Sequence, residues 1–503
     1  MGPIKSRTSI LFGIMLGLAL LVIVPAKYNP LIAYTWLNEV DAVQGTVTVV
    51  STDQCPGFIE VFSTCFNNNA AAPYIVPMVP VEDAYNDPDY AVTCKPCGTT
   101  TSEGVLTNIA YRLDNTQAMV TVVKMPSRAA YFSHLSYVFT RDKEHYVDQH
   151  IDPKIRVQSP DSSRWEIFGS TSNGINNNVM SNQLLSDPWN KQVIIITTGN
   201  PEVAANLIDK MVNNGIDRHH IFVEELQDNV LLGTDESSDD LLTLYRFALP
   251  EHAKEGKVWQ KNVTKNVLVY KVTDSTVDPD IRYAAELYTA RTGNSERHLE
   301  HALNEIADLF TGQDQAGFQK ITLDIHGEPH GLVGKDCIAK GTECAGDNTD
   351  TATYAVGPRY EQGTSPTWII GVNHNRTGNS TYISLSSFNT ERGMGVASVS
   401  QTNTEVTGFN SGNLDDSARE VLKELGLIEK LSADARSLLP MFYIASVQRG
   451  CTIGVSTCMD ISEIAVPTDT KTNLEERAYV RPGSTTGANV NIMLTPIQVG
   501  VIN

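Results

Sequence analysis

The residues that could do chemistry lie close together between residues 323 and 351, in the stretch LDIHGEPHGLVGKDCIAKGTECAGDNTDT. His326 and His330 are four residues apart, the spacing that places two imidazoles on one face of a helix in H-E-x-x-H metal sites. Gly327 and Pro329 disfavour a helix here, although residues four apart in a strand also share a face. The pair therefore predicts a metal site only if other elements supply the remaining ligands.

Carboxylates follow the histidines in the same stretch. Asp347 and Asp350 lie in a short acidic turn, and oxygen ligands of this kind suit calcium. The turn lacks the spacing and the closing glutamate of an EF-hand. A disulfide between Cys337 and Cys344 would hold the turn and lower the ordering cost of binding. We interpret the turn as a solvated, disulfide-closed loop or as a calcium site at the two aspartates, with zinc at the histidine pair as the alternative metal.

Two further histidine positions are weaker candidates. If the segment 280–310 is helical, His298, His301 and Glu305 share one sector of it and could form a three-ligand face. The apolar stripe of that helix lies elsewhere, so this sector is interpreted as its solvated side. His374 follows an apolar strand, where functional loops often lie, and would have to approach the histidine pair to join a metal site.

Composition excludes some classes of function. The chain has 503 residues, with 38 basic against 58 acidic side chains and a net charge of −20. A protein that grips phosphate backbones needs clustered lysine and arginine, so nucleic acid is not an expected partner. The sequence has no G-x-S-x-G, H-E-x-x-H or P-loop motif, which disfavours the common hydrolases and kinases.

The amino terminus predicts export. Lys5 and Arg7 precede an apolar run at residues 10–24, and Val24, at the end of the run, and Ala26 stand where a signal peptidase prefers small residues. This order is typical of a secretory signal peptide, although an uncleaved segment would act as a signal anchor. We therefore expect a secreted or cell-surface protein that meets the membrane only through this segment, if it is uncleaved.

Cysteine usage agrees with an oxidising compartment. The eight cysteines form close pairs in the sequence, which predicts four local disulfides. A tetrahedral zinc site made by the first four is the alternative. The expected pairs are Cys55 with Cys65, Cys94 with Cys97, Cys337 with Cys344, and Cys451 with Cys458.

Three sequons permit glycosylation in such a compartment. They begin at Asn262, Asn375 and Asn379. A sugar at Asn375 would crowd any site built around the neighbouring His374.

Short β-branched and aromatic runs alternate with helix signals, which predicts an α/β or α+β fold with two mixed-sheet domains and disulfide-closed loops. The expected division is a signal peptide or anchor at 1–26, an irregular disulfide-tied region at 27–105, an α/β domain with a β-α-β unit at 106–280, and a second α+β domain at 281–503.

The β-α-β unit is QVIIITTGNPEVAANLIDKMVNNGIDRHHIFVEEL. Asn200 suits a helix cap, Pro201 the first helical position, and Glu202 the positive end of the helix dipole. The apolar run VIII predicts a strand buried on both faces. The connecting loop lacks the glycine pattern of a dinucleotide site, so the unit is interpreted as a structural crossover.

Together these features favour an exported or surface-anchored protein that binds a protein or glycan partner or assembles with itself, with calcium supporting its loops. The alternative is a secreted metal-dependent hydrolase. In that case His326, His330 and an aspartate, Asp347 or Asp350, would hold the metal, and Glu328 would accept a proton from the bound water.

Overall fold

The structure is a computed structural model of the chain. It describes residues 32–50, 74–87, 90–94, 97–145, 163–284, 289–311, 318–322, 324–326, 334–342, 344, 349–355, 366–389, 394–401, 413–451, 457–461 and 472–501. Within these ranges no helix is long and apolar enough to cross a membrane. The predicted signal or anchor, residues 1–26, lies outside them.

Strands dominate the amino-terminal half. They are β1 (Asp41–Gln44), β2 (Thr46–Val50), β3 (Tyr74–Pro80), β4 (Thr99–Thr100), β5 (Leu106–Asn108), β6 (Gln117–Lys124), β7 (Ala129–Asp142), β8 (Arg164–Ser170), β9 (Ile175–Asn176), β10 (Gln192–Thr198), β11 (Ile221–Glu225), β12 (Asp240–Pro250) and β13 (Val267–Thr273).

Strands also form most of the carboxy-terminal half. They are β14 (Phe318–Thr322), β15 (Asp324–His326), β16 (Thr351–Ala355), β17 (Thr367–Val372), β18 (Tyr382–Asn389), β19 (Met394–Ser400), β20 (Phe442–Gln448), β21 (Cys458–Asp460), β22 (Thr472–Tyr479) and β23 (Ile497–Val501).

The α-helices are short and connect these strands. They are α1 (Asn177–Leu184), α2 (Pro201–Asn213), α3 (Ala253–Lys261), α4 (Val263–Asn266), α5 (Glu300–Thr311), α6 (Gly334–Lys340), α7 (Ser417–Glu424) and α8 (Ala433–Leu438). The mixture confirms an α+β fold with several sheets.

Each half contains two sheets. Sheet 1 has the order β1-β13-β6-β10-β11, and sheet 2 has the order β4-β5-β3-β12-β7-β8, with β2 beside β3 and β9 beside β7. Sheet 3 has the order β14-β23-β17-β20-β21, and sheet 4 has the order β15-β16-β22-β18-β19. The apolar residues of sheets 1 and 2 form one core between them, and those of sheets 3 and 4 form another.

Helices cover the other faces of sheets 1 and 3. Helix α2 buries Val203, Leu207 and Met211 against sheet 1. Helix α5 buries Leu303 and Ile306 against sheet 3, beside residues of α7 and α8. Full burial of one such side chain contributes roughly 1.5–3 kcal/mol, so these apolar stripes account for the positions of the helices.

The two halves repeat one arrangement of strands. In sheet 1, β1, β13, β6 and β10 pair antiparallel in turn and β11 adds in parallel. In sheet 3, β14, β23, β17, β20 and β21 follow the same sequence of pairings. The antiparallel series β2-β3-β12-β7-β8 of sheet 2 likewise matches β15-β16-β22-β18-β19 of sheet 4. The fold is therefore a tandem pair of two-sheet sandwiches.

Equivalent strand ends meet where the halves touch. Tyr131 of β7 pairs with Ala248 of β12, and Tyr382 of β18 pairs with Tyr479 of β22. The rings of Tyr382 and Tyr479 stack with centroids 4.3 Å apart, and Tyr131 lies 4.8 Å from Tyr479. These buried side chains form one apolar cluster. The tyrosines therefore join the two sandwiches through matching positions.

The predicted β-α-β unit is confirmed. Strand β10 is parallel to β11, and its residues Val193 to Ile196 are buried on both faces. Asn200 caps α2, because its side-chain oxygen accepts a hydrogen bond of 2.8 Å from the amide of Glu202, and Pro201 is the first helical residue. This part of the fold is encoded locally.

The amino-terminal region differs from the expected irregular lead-in. Strand β1 pairs with β13, and β3 pairs with β12. Val47, Ile75 and Val79 lie in the core between sheets 1 and 2. The strands that pair with β1 and β3 lie more than 150 residues later in the chain. The sequence pattern within residues 27–105 does not indicate such distant pairing.

Candidate functional site

The predicted metal residues fall into different places. His326 is the last residue of β15, where its backbone is in register with Thr353 of β16. Asp350 is buried, and its Oδ2 accepts a hydrogen bond of 2.6 Å from the hydroxyl of Tyr131. His330 and Asp347 lie outside the described residues. Among the residues that are described, no group of three or more histidine, cysteine or acidic side chains could hold a metal ion.

The disulfide-closed segment packs into the first half. Cys337 and Cys344 are bonded, and both are buried in the core between sheets 1 and 2. The amide of Cys344 donates to the carbonyl of Ile167 in β8 at 2.7 Å. A Cβ on Gly334, at the start of α6, would lie 2.3 Å from the carbonyl oxygen of Ser170, so only glycine permits this approach. The described part of this segment thus contacts β8 of the first half through its buried disulfide.

Two other predicted disulfides are also formed. Cys94 is bonded to Cys97, and Cys451 is bonded to Cys458. The alternative of a four-cysteine zinc site is wrong, because two of its thiolates are consumed in the first of these bonds. Its remaining members, Cys55 and Cys65, lie outside the described residues.

In the described part of the segment 280–310, a 3-10 turn at Arg297–Leu299 leads directly into α5, which begins at Glu300. His298 and His301 are exposed, as expected for the solvated side of the helix. The carboxylate of Glu305 instead accepts hydrogen bonds from the amide and the hydroxyl of Ser432, at 2.5 and 2.8 Å. Glu305 therefore connects α5 to the start of α8.

The sequon asparagines differ in accessibility. Asn262 and Asn375 are half-buried. Asn379 is fully buried, and its Nδ2 donates to the carbonyl of Asn294 and to Oε1 of Glu296, at 2.9 and 2.8 Å. A glycan on Asn379 would replace one of the two Nδ2 hydrogens, so at least one of these hydrogen bonds would be lost.

A buried histidine–carboxylate cluster lies inside the first sandwich. Nε2 of His134 on β7 is 2.8 Å from Oε2 of Glu224 on β11. Glu224 also accepts hydrogen bonds from the amide and hydroxyl of Ser136 and from the hydroxyl of Thr197, at 2.5 to 2.8 Å. Burial raises the pKa of Glu224, but His134 and Ser136 outweigh it and lower the pKa to about 2. The carboxylate therefore stays ionised, and it joins sheet 1 to sheet 2.

A second cluster lies inside the second sandwich. Nδ1 of His374 is 2.9 Å from Oε1 of Glu296, and its Nε2 is 3.0 Å from Oε1 of Glu476. All three side chains have zero exposure. Tyr443 of β20 donates a hydrogen bond to Glu476, and Thr377 donates one of 2.6 Å to Glu296. One imidazolium thus bridges two carboxylates.

The charges of this cluster are mutually stabilised. Burial lowers the pKa of His374, but Glu296 and Glu476 outweigh it and raise the pKa to about 10. Burial raises the pKa of Glu296, but the charge of His374 and its hydrogen bonds lower it to about 2. The Glu296 carboxylate and the His374 imidazolium therefore both stay charged across the middle of the pH range.

Stability should therefore depend on pH in a defined way. The His374 contribution is complete below its ordinary pKa of 6.5 and is lost as the pH rises through about 10. The Glu296 contribution is complete above 4.5 and is lost as the pH falls towards about 2. We expect urea midpoints to be highest between these two limits and to fall on the alkaline side. Glu476→Gln should weaken the alkaline slope, and an unchanged slope would contradict this assignment.

The sequence pattern singled out His374 but missed its partners. Glu296 and Glu476 reach it from a connecting segment and from β22, and Glu224 reaches His134 from another strand. The one available signal was an acidic residue at the end of an otherwise apolar strand, as in Glu224 after IFV.

The described residues form a tandem pair of two-sheet sandwiches, and each sandwich contains one buried histidine–carboxylate cluster. No protein-family model matches the chain, and no curated protein sequence matches it significantly. The solved structures that match include the VPA0106 protein from Vibrio parahaemolyticus, at 9% identity over 90% of this chain and 96% of that one, with a TM-score of 0.35. A similarity at this level carries no argument about function.

Proposed function

We propose that the protein is an exported binding or assembly protein, secreted or held at the cell surface by its amino-terminal segment. The observation that carries the proposal is the complete burial of the histidine in each histidine–carboxylate cluster. His134 and His374 have zero exposure, and the carboxylates around them bind neighbouring strands and loops. General acid–base catalysis needs such groups within reach of a substrate, so these clusters are suited to holding the sandwiches together.

The disulfides support the exported location. Bonded cysteine pairs at Cys94–Cys97, Cys337–Cys344 and Cys451–Cys458 persist in oxidising compartments. The expected partner is a protein, a glycan or a second copy of the chain. A strand arrangement repeated within one molecule supports assembly, because it presents two sets of equivalent sheet edges.

Calcium bound near Asp347 and Asp350 is the finer part of the proposal, with zinc as the alternative. The position of Asp350 supports it, because Asp350 is buried and the nearby Cys344 is held by its disulfide and by its hydrogen bond to Ile167 of β8. A calcium ion in this turn would stabilise the connection between the halves.

The test uses the secreted chain from residue 27, without a histidine tag. Sedimentation velocity over a range of concentrations should show a mass that rises by self-association, or a glycan array should show saturable binding. Melting with and without a calcium chelator should show a shift that Asp347→Asn removes. His301→Ala, at an exposed position on α5, is the matched control and should leave every result unchanged.

The result that would overturn the proposal is hydrolysis of ester, phosphate, peptide or glycoside substrates that requires zinc and is abolished by His326→Ala or His330→Ala. That outcome would favour the metal-dependent hydrolase. A protein that stays monomeric, binds no glycan and captures no partner would also count against an assembly role.

A further inference from the structure

Two arginines occupy equivalent positions on the central strands of sheets 2 and 4. Arg246 of β12 is in register with Ser133 of β7, and Arg477 of β22 is in register with Ser384 of β18. Each arginine lies two residues before the strand position that contacts the other half, which is Ala248 in β12 and Tyr479 in β22. The positive charges of both arginines act on the hydroxyl of Tyr74 on β3, so the two guanidinium groups lie near the same side chain.

Only one of the two arginines has a carboxylate partner. The guanidinium of Arg477 forms an ion pair with Glu475 on the same strand. Arg246 is 6% exposed, and no carboxylate lies within ion-pair distance of it in the described part of the chain. Its Nε has no hydrogen-bond partner, and its Nη2 donates a bond of 3.2 Å to the hydroxyl of Tyr137. The ring of Tyr74 lies 5.3 Å from its guanidinium carbon.

A buried cation in this state is costly. Removal of a charged group from water is strongly unfavourable unless a counter-charge and hydrogen bonds replace the solvent. A tyrosine ring and a single hydroxyl supply only part of that compensation. The nearby acids have other partners, because Glu475 binds Arg477 and Asp350 accepts the hydroxyl of Tyr131. Within the part of the chain that the structure describes, no negative charge therefore offsets that of Arg246.

We propose that Arg246, with the tyrosine hydroxyls around it, binds a small oxyanion at the junction of the two sandwiches. The ligand class is a carboxylate or a phosphate group, because the planar fork of a guanidinium presents paired N–H donors that match two oxygens of either. The hydroxyl of Tyr137 lies within reach of the same point. The inference stands on the buried arginine and does not depend on the proposed function.

The electrostatics of Tyr74 agree with this assignment. Burial raises the pKa of its hydroxyl, but Arg246 and Arg477 outweigh burial and hold the pKa below its usual value. The region between the arginines is thus positive enough to favour a negative group. The competing explanation is that Tyr74 itself ionises and neutralises Arg246 without any ligand.

The experiment titrates the dialysed, full-length secreted chain with inorganic phosphate in one arm and acetate in the other, at constant ionic strength set with sodium chloride. We expect at least one arm to raise the melting temperature by about 2 to 5 °C at saturation. Arg246→Gln should abolish the shift and Arg246→Lys should reduce it. Arg436→Gln is the matched control, because Arg436 pairs with Glu429 at an exposed site and should leave the shift unchanged.

Calorimetric titration of the unaltered protein provides a second measurement if Arg246→Gln does not fold. Saturable binding of phosphate or acetate, weakened several-fold by Tyr137→Phe, would support the site, and the responding arm would identify the kind of oxyanion. No response in either arm, or an equal response in Arg246→Gln, would overturn the proposal. A phenolate absorbance at neutral pH that is lost in Tyr74→Phe would overturn it as well.

Discussion

Replacement of His374 by alanine is expected to lower the free energy of unfolding by about 3 to 5 kcal/mol, because it removes the cation from between two buried carboxylates. Glu296 and Glu476 both have zero exposure and would face each other without compensation. The loop at residues 373–381 also loses one contact with the segment that joins the two sandwiches, while the hydrogen bonds from Thr377 and Asn379 remain. Urea unfolding at neutral pH, followed by circular dichroism, measures the loss.

The matched control for this variant is His298→Ala, which removes an exposed histidine from the same half and should leave stability unchanged. The double variant His374→Ala, Glu476→Gln should recover part of the loss, since a glutamine at 476 cannot carry a negative charge beside Glu296. A loss below about 1 kcal/mol for His374→Ala would show that the imidazolium is not the stabilising cation.

The second large effect is expected from Asp240→Asn. Nε of Arg112 donates to the Asp240 carboxylate at 2.7 Å, and Nε of Arg164 lies 3.0 Å from the same carboxylate. The side chains of all three residues are almost completely buried. It also accepts the amide of Thr93 at 2.8 Å. The neutral amide leaves two arginines without a counter-charge, so we expect a loss of about 3 to 5 kcal/mol.

Thermal and urea unfolding of Asp240→Asn should be compared with Asp209→Asn, which changes an exposed position on α2. The segment 90–94 should also become accessible to protease, because Thr93 and the carbonyl of Ala91 bind this group. Unfolding curves that coincide for the two variants would rule out the buried network as a major source of stability.

Local signals in the sequence were sufficient for several elements. The cap at Asn200 and the proline after it defined the start of α2, and the unbroken apolar run before them defined β10. The exposed face of α5 followed from its apolar stripe. In each case the deciding interactions join residues that are close in the sequence, or depend on a periodic pattern.

The buried clusters could not be found in this way. Glu224 is 90 residues from His134, and Glu296 is 78 residues from His374. Such pairs form only when strands from different parts of the chain meet, and no local pattern encodes that meeting. The same limit explains why the unpaired state of Arg246 was not foreseen.

The repeat between the halves was also hidden. Its most similar stretches are YFS at residues 131–133 and YIS at 382–384, together with Arg246 and Arg477. Leu249 and Val480 directly follow the equivalent residues Ala248 and Tyr479, and both have an unusual positive φ, of 53° and 32°. Three-dimensional pairing reveals the repeat, whereas the side chains between these positions have diverged.

The divergence has a consequence for how the chain folds. Because the two halves have the same strand order, equivalent strands can exchange between them while both halves are incompletely folded. The position of His134 on β7, opposite Tyr245, corresponds to that of Leu385 on β18, opposite Glu476. An exchanged β18 would place a leucine at the position of His134, and the buried Glu224 carboxylate would lose its imidazole partner. The buried histidine–carboxylate clusters thus destabilise intermediates with mispaired strands and favour pairing of each strand within its own half.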